Sequence, residues 1–193
     1  MSAVFIILVA YLLGCINTGF YLVKSLSNCD IRSISSGGTG SRNVGRLLGT
    51  KGFIITFIGD AGKGLAAVWI ARYLVTSEWL VGLAFLAVIC GHIWPFQLSF
   101  RGGKGFATFA GGMLLFAPLV LLYGFLLSVV ILLFLRRTTI SGLLALACSP
   151  IFMAITHARN GFNWNTSEFA IYCLIVIVIL FGHRDNIRKY FLS

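Results

Sequence analysis

FATFAGGMLLFAPLVLLYGFLLSVVILLFL, residues Phe106 to Leu135, is the stretch on which the topology turns. As a single helix it would be about 45 Å long, half as long again as a ~30 Å hydrocarbon core, and would need a steep tilt. As a hairpin turning near Ala117 and Pro118 it gives two short helices of roughly 12 and 17 residues, which cross only when packed against protein or in a thinned bilayer. Charge parity separates the two readings. With the hairpin, the loop cations within 24–51, 101–104, 136–137 and 184–189 share one side, and only Arg72 and Arg159 lie opposite. With a single helix, Arg136, Arg137 and the C-terminal cluster move across and the bias nearly vanishes. Cytoplasmic loops carry the excess of Lys and Arg, so the hairpin is favoured.

The surrounding chain supports a membrane setting. Of 193 residues, 59% are hydrophobic and only 10% charged, whereas soluble domains carry about a quarter charged residues. The net charge of +10 comes from Lys and Arg in short interruptions between apolar runs, not from one soluble basic face. No nucleic-acid partner is therefore expected. Cys15, Cys29, Cys90, Cys148 and Cys173 are scattered without a CxxC pair and read as packing residues. The N-terminus has no positive n-region and no obvious small-residue cleavage site, so the first apolar run reads as a retained span.

The fold class expected is an all-α integral membrane protein of seven transmembrane helices, some short or broken. Its N-terminus lies outside, its C-terminus is cytoplasmic, and residues 1–193 make a single transmembrane domain. The spans are Ala3–Val23, Gly52–Val75, Trp79–Phe100, the two hairpin arms, Thr138–Thr156 and Glu168–Gly182, with an outer loop from His157 to Ser167. Lys24 to Lys51 is polar and must lie outside lipid or be buried in protein. Gly14, Asn17, Thr18 and Gly19 in the first span read as helix-contact residues. Pro95 and its flanking aromatics predict a helix break just after His92, which reads as an interfacial hydrogen-bonder more readily than as a catalyst. Within GDAGKG, Asp60 and Lys63 are three apart and share a helical face. Ionisable groups at that depth are costly, so they either form a plain pair joining helices or support a polar site. The run lacks the spacing of a Walker A loop.

The parity argument places three polar stretches on the cytoplasmic face. Ser36 to Arg46, SGGTGSRNVGR, sets Ser36, Ser41, Arg42, Asn43 and Arg46 among glycines that include Gly37 and Gly40. Arg101 to Gly105, RGGKG, sets Arg101 and Lys104 around Gly102, Gly103 and Gly105. The third is HRDNIRK, from His183 to Lys189. Glycine backbone approaches a ligand closely, and its N–H groups beside cations form a phosphate cradle. Two such loops suit two phosphate groups, although lipid head groups also attract basic glycine-rich loops. The five acids show no paired spacing for metal-dependent phosphotransfer. A GxSxG elbow is missing, and no histidine begins an HxxxxD pattern. No metal and no cofactor are expected.

Together these stretches resemble the bacterial membrane acyl-phosphate:glycerol-3-phosphate acyltransferases, the PlsY family. That family's first motif is approximately SGNxGAxNxxR, and Ser36, Gly37, Gly40, Asn43 and Arg46 match it. The second, about GHxFPxFxxFxGGKGxAT, runs over Gly91 to Thr108 with Trp94 in a Phe place. The third, around HRxNIxR, falls on His183 to Lys189 with Lys189 in an Arg place. The resemblance implies transfer of a fatty acyl group from acyl phosphate to the 1-hydroxyl of glycerol 3-phosphate, at the cytoplasmic face of the bacterial inner membrane, with membrane lipid as a further partner. It implies catalytic roles for Ser36, Arg46, His183 and Asn186, and substrate binding by Gly37, Gly40, Ser41, Asn43, His92, Arg101, Gly102, Gly103, Lys104 and Gly105. Asp60 and Lys63 are candidate supports. A transporter or binding protein for phosphate-bearing lipids or metabolites would use the same loops, and an acyl thioester could replace the acyl phosphate.

Overall fold

The computed structural model describes residues 2–160 and 166–191, which form helices and turns with no strand among them. Two compact units, Met1–Gly112 and Met113–Ser193, divide the chain. The helices of the first are α1 (Ala3–Cys15), α2 (Thr18–Ser27), α3 (Ser41–Leu74) and α4 (Glu78–Ile93), followed by the start of α5 (Phe106–Phe116). The second holds the end of α5, then α6 (Pro118–Leu135), α7 (Thr138–Asn160), α8 (Thr166–Gly182) and α9 (Arg184–Phe191).

Among the described residues, five stretches are long and apolar enough to cross a membrane: Ala3–Ser27, Ser41–Leu74, Glu78–Leu98, Pro118–Leu135 and Thr138–Thr156. The pair α8 and α9, bent by 61°, makes a sixth if counted as one span. The helix breaks where Ala117 and Pro118 predict: Ala117 is non-helical (φ −153°, ψ 77°) and Pro118 opens α6, where its missing N–H costs nothing. At 11 residues, α5 reaches only about 16 Å, so length alone supports five or six of the seven expected spans. The outer surface carries many exposed large apolar side chains. Leu133 and Phe134 are 72% and 82% exposed while Asp60 is 1% exposed, as expected when the surrounding solvent is hydrocarbon.

In the first unit α4 is the most enclosed helix, burying Val81, Phe85, Val88, Ile89 and His92 among others. It packs on α1 through small residues: a Cβ on Gly14 would strike the Val88 backbone, and one on Gly91 the Tyr11 carbonyl. Close backbone approach of this kind drives helix association in lipid, where burying apolar surface gains little. In the second unit α6 packs on α7 and α7 on α8. There the Tyr172 hydroxyl donates to Ser149 Oγ (2.7 Å) and its ring stacks on Phe116.

Three expectations need correction. The first span is not one helix: backbone at Ile16 and Asn17 turns extended and separates α1 from α2. The carbonyls so released are taken by side chains. Lys63 Nζ donates to Gly14 O (2.9 Å) and Ile16 O (2.7 Å). Cys15 O accepts from Asn17 Nδ2 and Gln97 Nε2. On the other side of the break, the Thr18 N–H donates to Asp60 Oδ1 (3.3 Å).

Second, residues 41–51 are helical and not loop. Val44, fully buried, and Leu48 one turn on pack against Val23 and Ile31, so tertiary contact outweighs a polar, glycine-rich sequence. A break remains at Gly49, whose φ of 68° and ψ of −165° suit glycine. Third, α7 continues to Asn160 and α8 begins at Thr166, so residues 157–160 and 166–167 of the expected outer loop are helical, and residues 161–165 lie outside those described.

The Asp60–Lys63 pair (3.1 Å) is 1% and 4% exposed at its side chains. Removing one partner of a buried pair leaves an uncompensated charge. Lys63→Met is expected to destabilise the protein by about 3–5 kcal/mol, read as a lowered thermal unfolding midpoint in detergent micelles. Gly14→Val is expected to cost about 1–3 kcal/mol by overpacking against Val88, checked by the same measurement.

Candidate functional site

The stretch from Gly91 to Gly105 folds back on the end of α4. Leu98 N–H and Phe100 N–H donate to Pro95 O, Ser99 N–H to Phe96 O and Arg101 N–H to Leu98 O. Ser99 (φ 54°) and Phe100 (φ 59°) are both left-handed, a conformation that costs a non-glycine residue energy and is kept only where surrounding contacts impose it. The chain then runs against α4: the Gly102 N–H donates to Ile93 O and the Gly103 N–H to His92 O, each at 3.0 Å.

Through these bonds the Gly102 and Gly103 amides cap the C-terminus of α4. The two residues are glycine for a packing reason. A Cβ on Gly102 would meet His92 O and the Pro95 ring, and a Cβ on Gly103 would enter the His92 imidazole. Gly105 has φ +83°, which favours glycine by conformation. Lys104 is half-buried and Arg101 exposed, so the loop's charge is carried at its outer side.

The other glycine-rich stretch wraps the start of a helix. Gly40 is the N-cap of α3, and Ser41, Arg42 and Asn43 form its first turn, where the helix dipole favours anions. Asn43 is 2% exposed and its amide is engaged by backbone. Nδ2 donates toward Ile31 O, Ile34 O and Gly38 O, and Oδ1 accepts from the Ser36 N–H. Asn43 thus shapes the 31–38 loop from beneath. Ser36, Gly37 and Arg46 stand on the exposed side, and Arg46 Nη1 donates to Ser35 Oγ (3.1 Å).

Contacts far apart in sequence join the two loops. The Thr39 N–H donates to Gly102 O (3.5 Å), and Thr39 Oγ1 donates to the fully buried Asn17 at Oδ1 (2.6 Å). Arg32 Nη1 donates to Leu98 O (2.7 Å), with its guanidinium over the Phe20 ring and paired to Asp30. Hydrogen bonds from Arg32 hold the Asp30 carboxyl below its ordinary range. The stabilisation linked to that shift is therefore present above the ordinary carboxylate pKa and is lost as pH falls through the lowered one. Thr39, Arg32, Asn17 and Gln97 were not singled out as site residues from the sequence, because their partners lie up to 82 residues away.

His92 is 2% exposed, with Nδ1 3.7 Å from Asp60 Oδ1. It stands behind the RGGKG loop, and Asp60 and Lys63 stand behind it in turn. In the second unit, His183 begins the turn between α8 and α9. Its Nδ1 lies 2.9 Å from Ile179 O. A carbonyl only accepts, so that nitrogen carries the proton and the neutral ring would present Nε2 as its basic atom. Asn186 follows in the first turn of α9, its N–H donating to His183 O (2.8 Å).

Comparison with known proteins agrees with this picture. The family model described as glycerol-3-phosphate acyltransferase matches residues 4–192. Glycerol-3-phosphate acyltransferase 1 of Desulfitobacterium hafniense is 40% identical over 189 residues, 98% of this chain and 91% of that protein. The Bacillus cereus protein of the same name is 38% identical over 185 residues, 95% of this chain and 98% of its own. Two crystal structures of PlsY, an integral membrane glycerol 3-phosphate acyltransferase, share the fold over 100% of this chain and 93% of theirs. The glycerol 3-phosphate form has a TM-score of 0.87 at 30% identity, and the lysophosphatidic acid form 0.85 at 29%. With its five or six apolar crossings and near-complete match in both sequence and fold, the chain belongs to the glycerol-3-phosphate acyltransferase family of multi-pass membrane proteins.

Proposed function

We propose that the protein transfers a fatty acyl group from acyl phosphate to the 1-hydroxyl of glycerol 3-phosphate, releasing lysophosphatidic acid and inorganic phosphate. The observation that carries this reading is the family match over residues 4–192, together with two basic glycine-rich loops hydrogen-bonded to each other in one unit. An acyl phosphate is a mixed anhydride and already activated. The protein then needs to neutralise the leaving phosphate, stabilise the oxyanion on the carbonyl and hold the hydroxyl in line.

The roles divide as follows. Ser36 and Arg46, with Ser41 and the first-turn amides of α3, take one phosphate and the developing oxyanion, while Asn43 keeps Ser36 in place. Lys104 and Arg101 take the acceptor's phosphate, on a path shaped by Gly102, Gly103 and Gly105. His183 and Asn186 orient or deprotonate the acceptor hydroxyl, with His183 Nε2 as the basic atom. The substrate's own phosphate is the alternative base, its second pKa being near 6 by analogy with phosphorylated side chains.

The finer topology belongs to the same proposal. The chain is one acyltransferase domain over residues 1–193 with seven crossings, N-terminus outside and C-terminus cytoplasmic, in the bacterial inner membrane. Its loops face the cytoplasm, where a water-soluble acceptor meets a donor delivered from the lipid. Charge flanking the apolar runs supports this, because Lys24, Arg32, Arg42, Arg46, Lys51, Arg101 and Lys104 then share a side.

Purified protein given palmitoyl phosphate and glycerol 3-phosphate is expected to release inorganic phosphate and form lysophosphatidic acid, and to form none from the corresponding acyl-CoA. Absence of phosphate release would favour a transporter or binding protein. Lys104→Ala removes a charged donor worth roughly 1.5–3 kcal/mol. It is expected to raise KM for glycerol 3-phosphate by about 10- to 100-fold, read from initial rates over a range of acceptor concentrations. His183→Ala is expected to lower kcat by about 10²- to 10⁴-fold, and undiminished turnover would remove it from the essential set.

A further inference from the structure

His92 and Asp60 touch none of the reacting groups assigned above, yet both are buried, at 2% and 1% exposure. The imidazole is confined on two sides. Toward the helices, Nδ1 is 3.7 Å from Asp60 Oδ1. Toward the loop, the edge carrying Nε2 fills the space that a Gly103 Cβ would need. His92 also holds Gly103 through the main chain, its carbonyl accepting the Gly103 N–H at 3.0 Å. One residue therefore fixes the loop both by a backbone hydrogen bond and by its ring, immediately before Lys104.

Asp60 is held as firmly. Its Oδ1 receives Lys63 Nζ at 3.1 Å and the Thr18 N–H at 3.3 Å, and Lys63 is anchored on Gly14 O and Ile16 O. The separation of 3.7 Å from the imidazole is longer than a hydrogen bond, so the carboxylate acts on the ring through charge. In a site with little water such a contact is weakly screened. It favours the ring orientation that turns Nδ1 inward and the opposite edge toward Gly103.

The geometry points to Asp60 and His92 as positioning residues for the acceptor. The buried carboxylate orients the imidazole, the imidazole sets the path of Gly102 and Gly103, and that path sets where Lys104 meets the phosphate of glycerol 3-phosphate. The inference rests on the reading that this loop binds the acceptor's phosphate. It separates Asp60 and His92 from a plain helix-joining pair, because a pair of that kind would affect both substrates alike.

The test uses the full-length protein in detergent micelles as wild type, Asp60→Asn, His92→Gln and the double variant. Equilibrium binding of radiolabelled glycerol 3-phosphate is measured without any acyl donor, and KM is measured for both substrates. Each single variant is expected to weaken glycerol 3-phosphate binding and raise its KM about tenfold, with the KM for palmitoyl phosphate nearly unchanged. The double variant is expected to bind no more weakly than His92→Gln, because the carboxylate acts through the ring.

Wild-type acceptor affinity in either single variant, an equal rise in both KM values, or multiplying effects in the double variant would overturn the assignment. Should Asp60→Asn fail to fold, His92→Gln decides by the same selectivity for the acceptor. Wild-type protein that binds glycerol 3-phosphate without forming product overturns acyl transfer alone, and the binding comparison still judges Asp60 and His92. Wild-type protein that binds none overturns both.

Discussion

A helix that breaks inside a membrane must find new partners for its freed peptide groups, because hydrocarbon offers none. In this protein the break between α1 and α2 is met by an ion pair matched to it in sign. The ammonium of Lys63 sits on carbonyls at the C-terminal end of α1, the negative end of that helix, and the carboxylate of Asp60 accepts from the first amide of α2, the positive end of the next. Two charges costly to bury one by one satisfy each other and the interrupted backbone together. The three-residue spacing on α3 lets one helical face serve both sides of the break.

The rest of the first unit is arranged outward from this point. Asn17, at the break, accepts from Thr39, and Thr39 leads to Gly102. Asp60 faces His92, and His92 backs Gly103. Both glycine-rich loops are therefore fixed from their buried side, leaving Ser36, Arg46 and Arg101 exposed and Lys104 half-buried. Such a division suits a reaction whose substrates carry their own activation, since catalysis then lies in holding charges at set distances. At Gly102 and Gly103 glycine contributes by admitting a neighbour, since they receive a carbonyl, a proline ring and an imidazole.

The helical architecture was largely legible from the chain. Apolar length marked the spans, Pro118 marked the break ahead of α6, and the i, i+3 placement of Asp60 and Lys63 showed that they share a face. Gly14 was readable as a contact residue because small side chains in lipid serve little else. What escaped notice depends on partners distant in sequence. The break at Ile16 and Asn17 is met by partners distant in sequence, Lys63 lying 47 residues from Ile16. Residues 41–48 look like loop until Val23 and Ile31 are set against Val44. The backbone contacts of Asn43 were not legible, because which carbonyls an amide reaches is decided by the fold.

The placement of those partners also bears on how the chain is made. Gly14, Ile16 and Thr18 all precede Asp60 and Lys63 in sequence, so the peptide groups that receive the pair are synthesised before it. The segment that carries the two buried charges thus follows, in chain order, the segment whose peptide groups satisfy them.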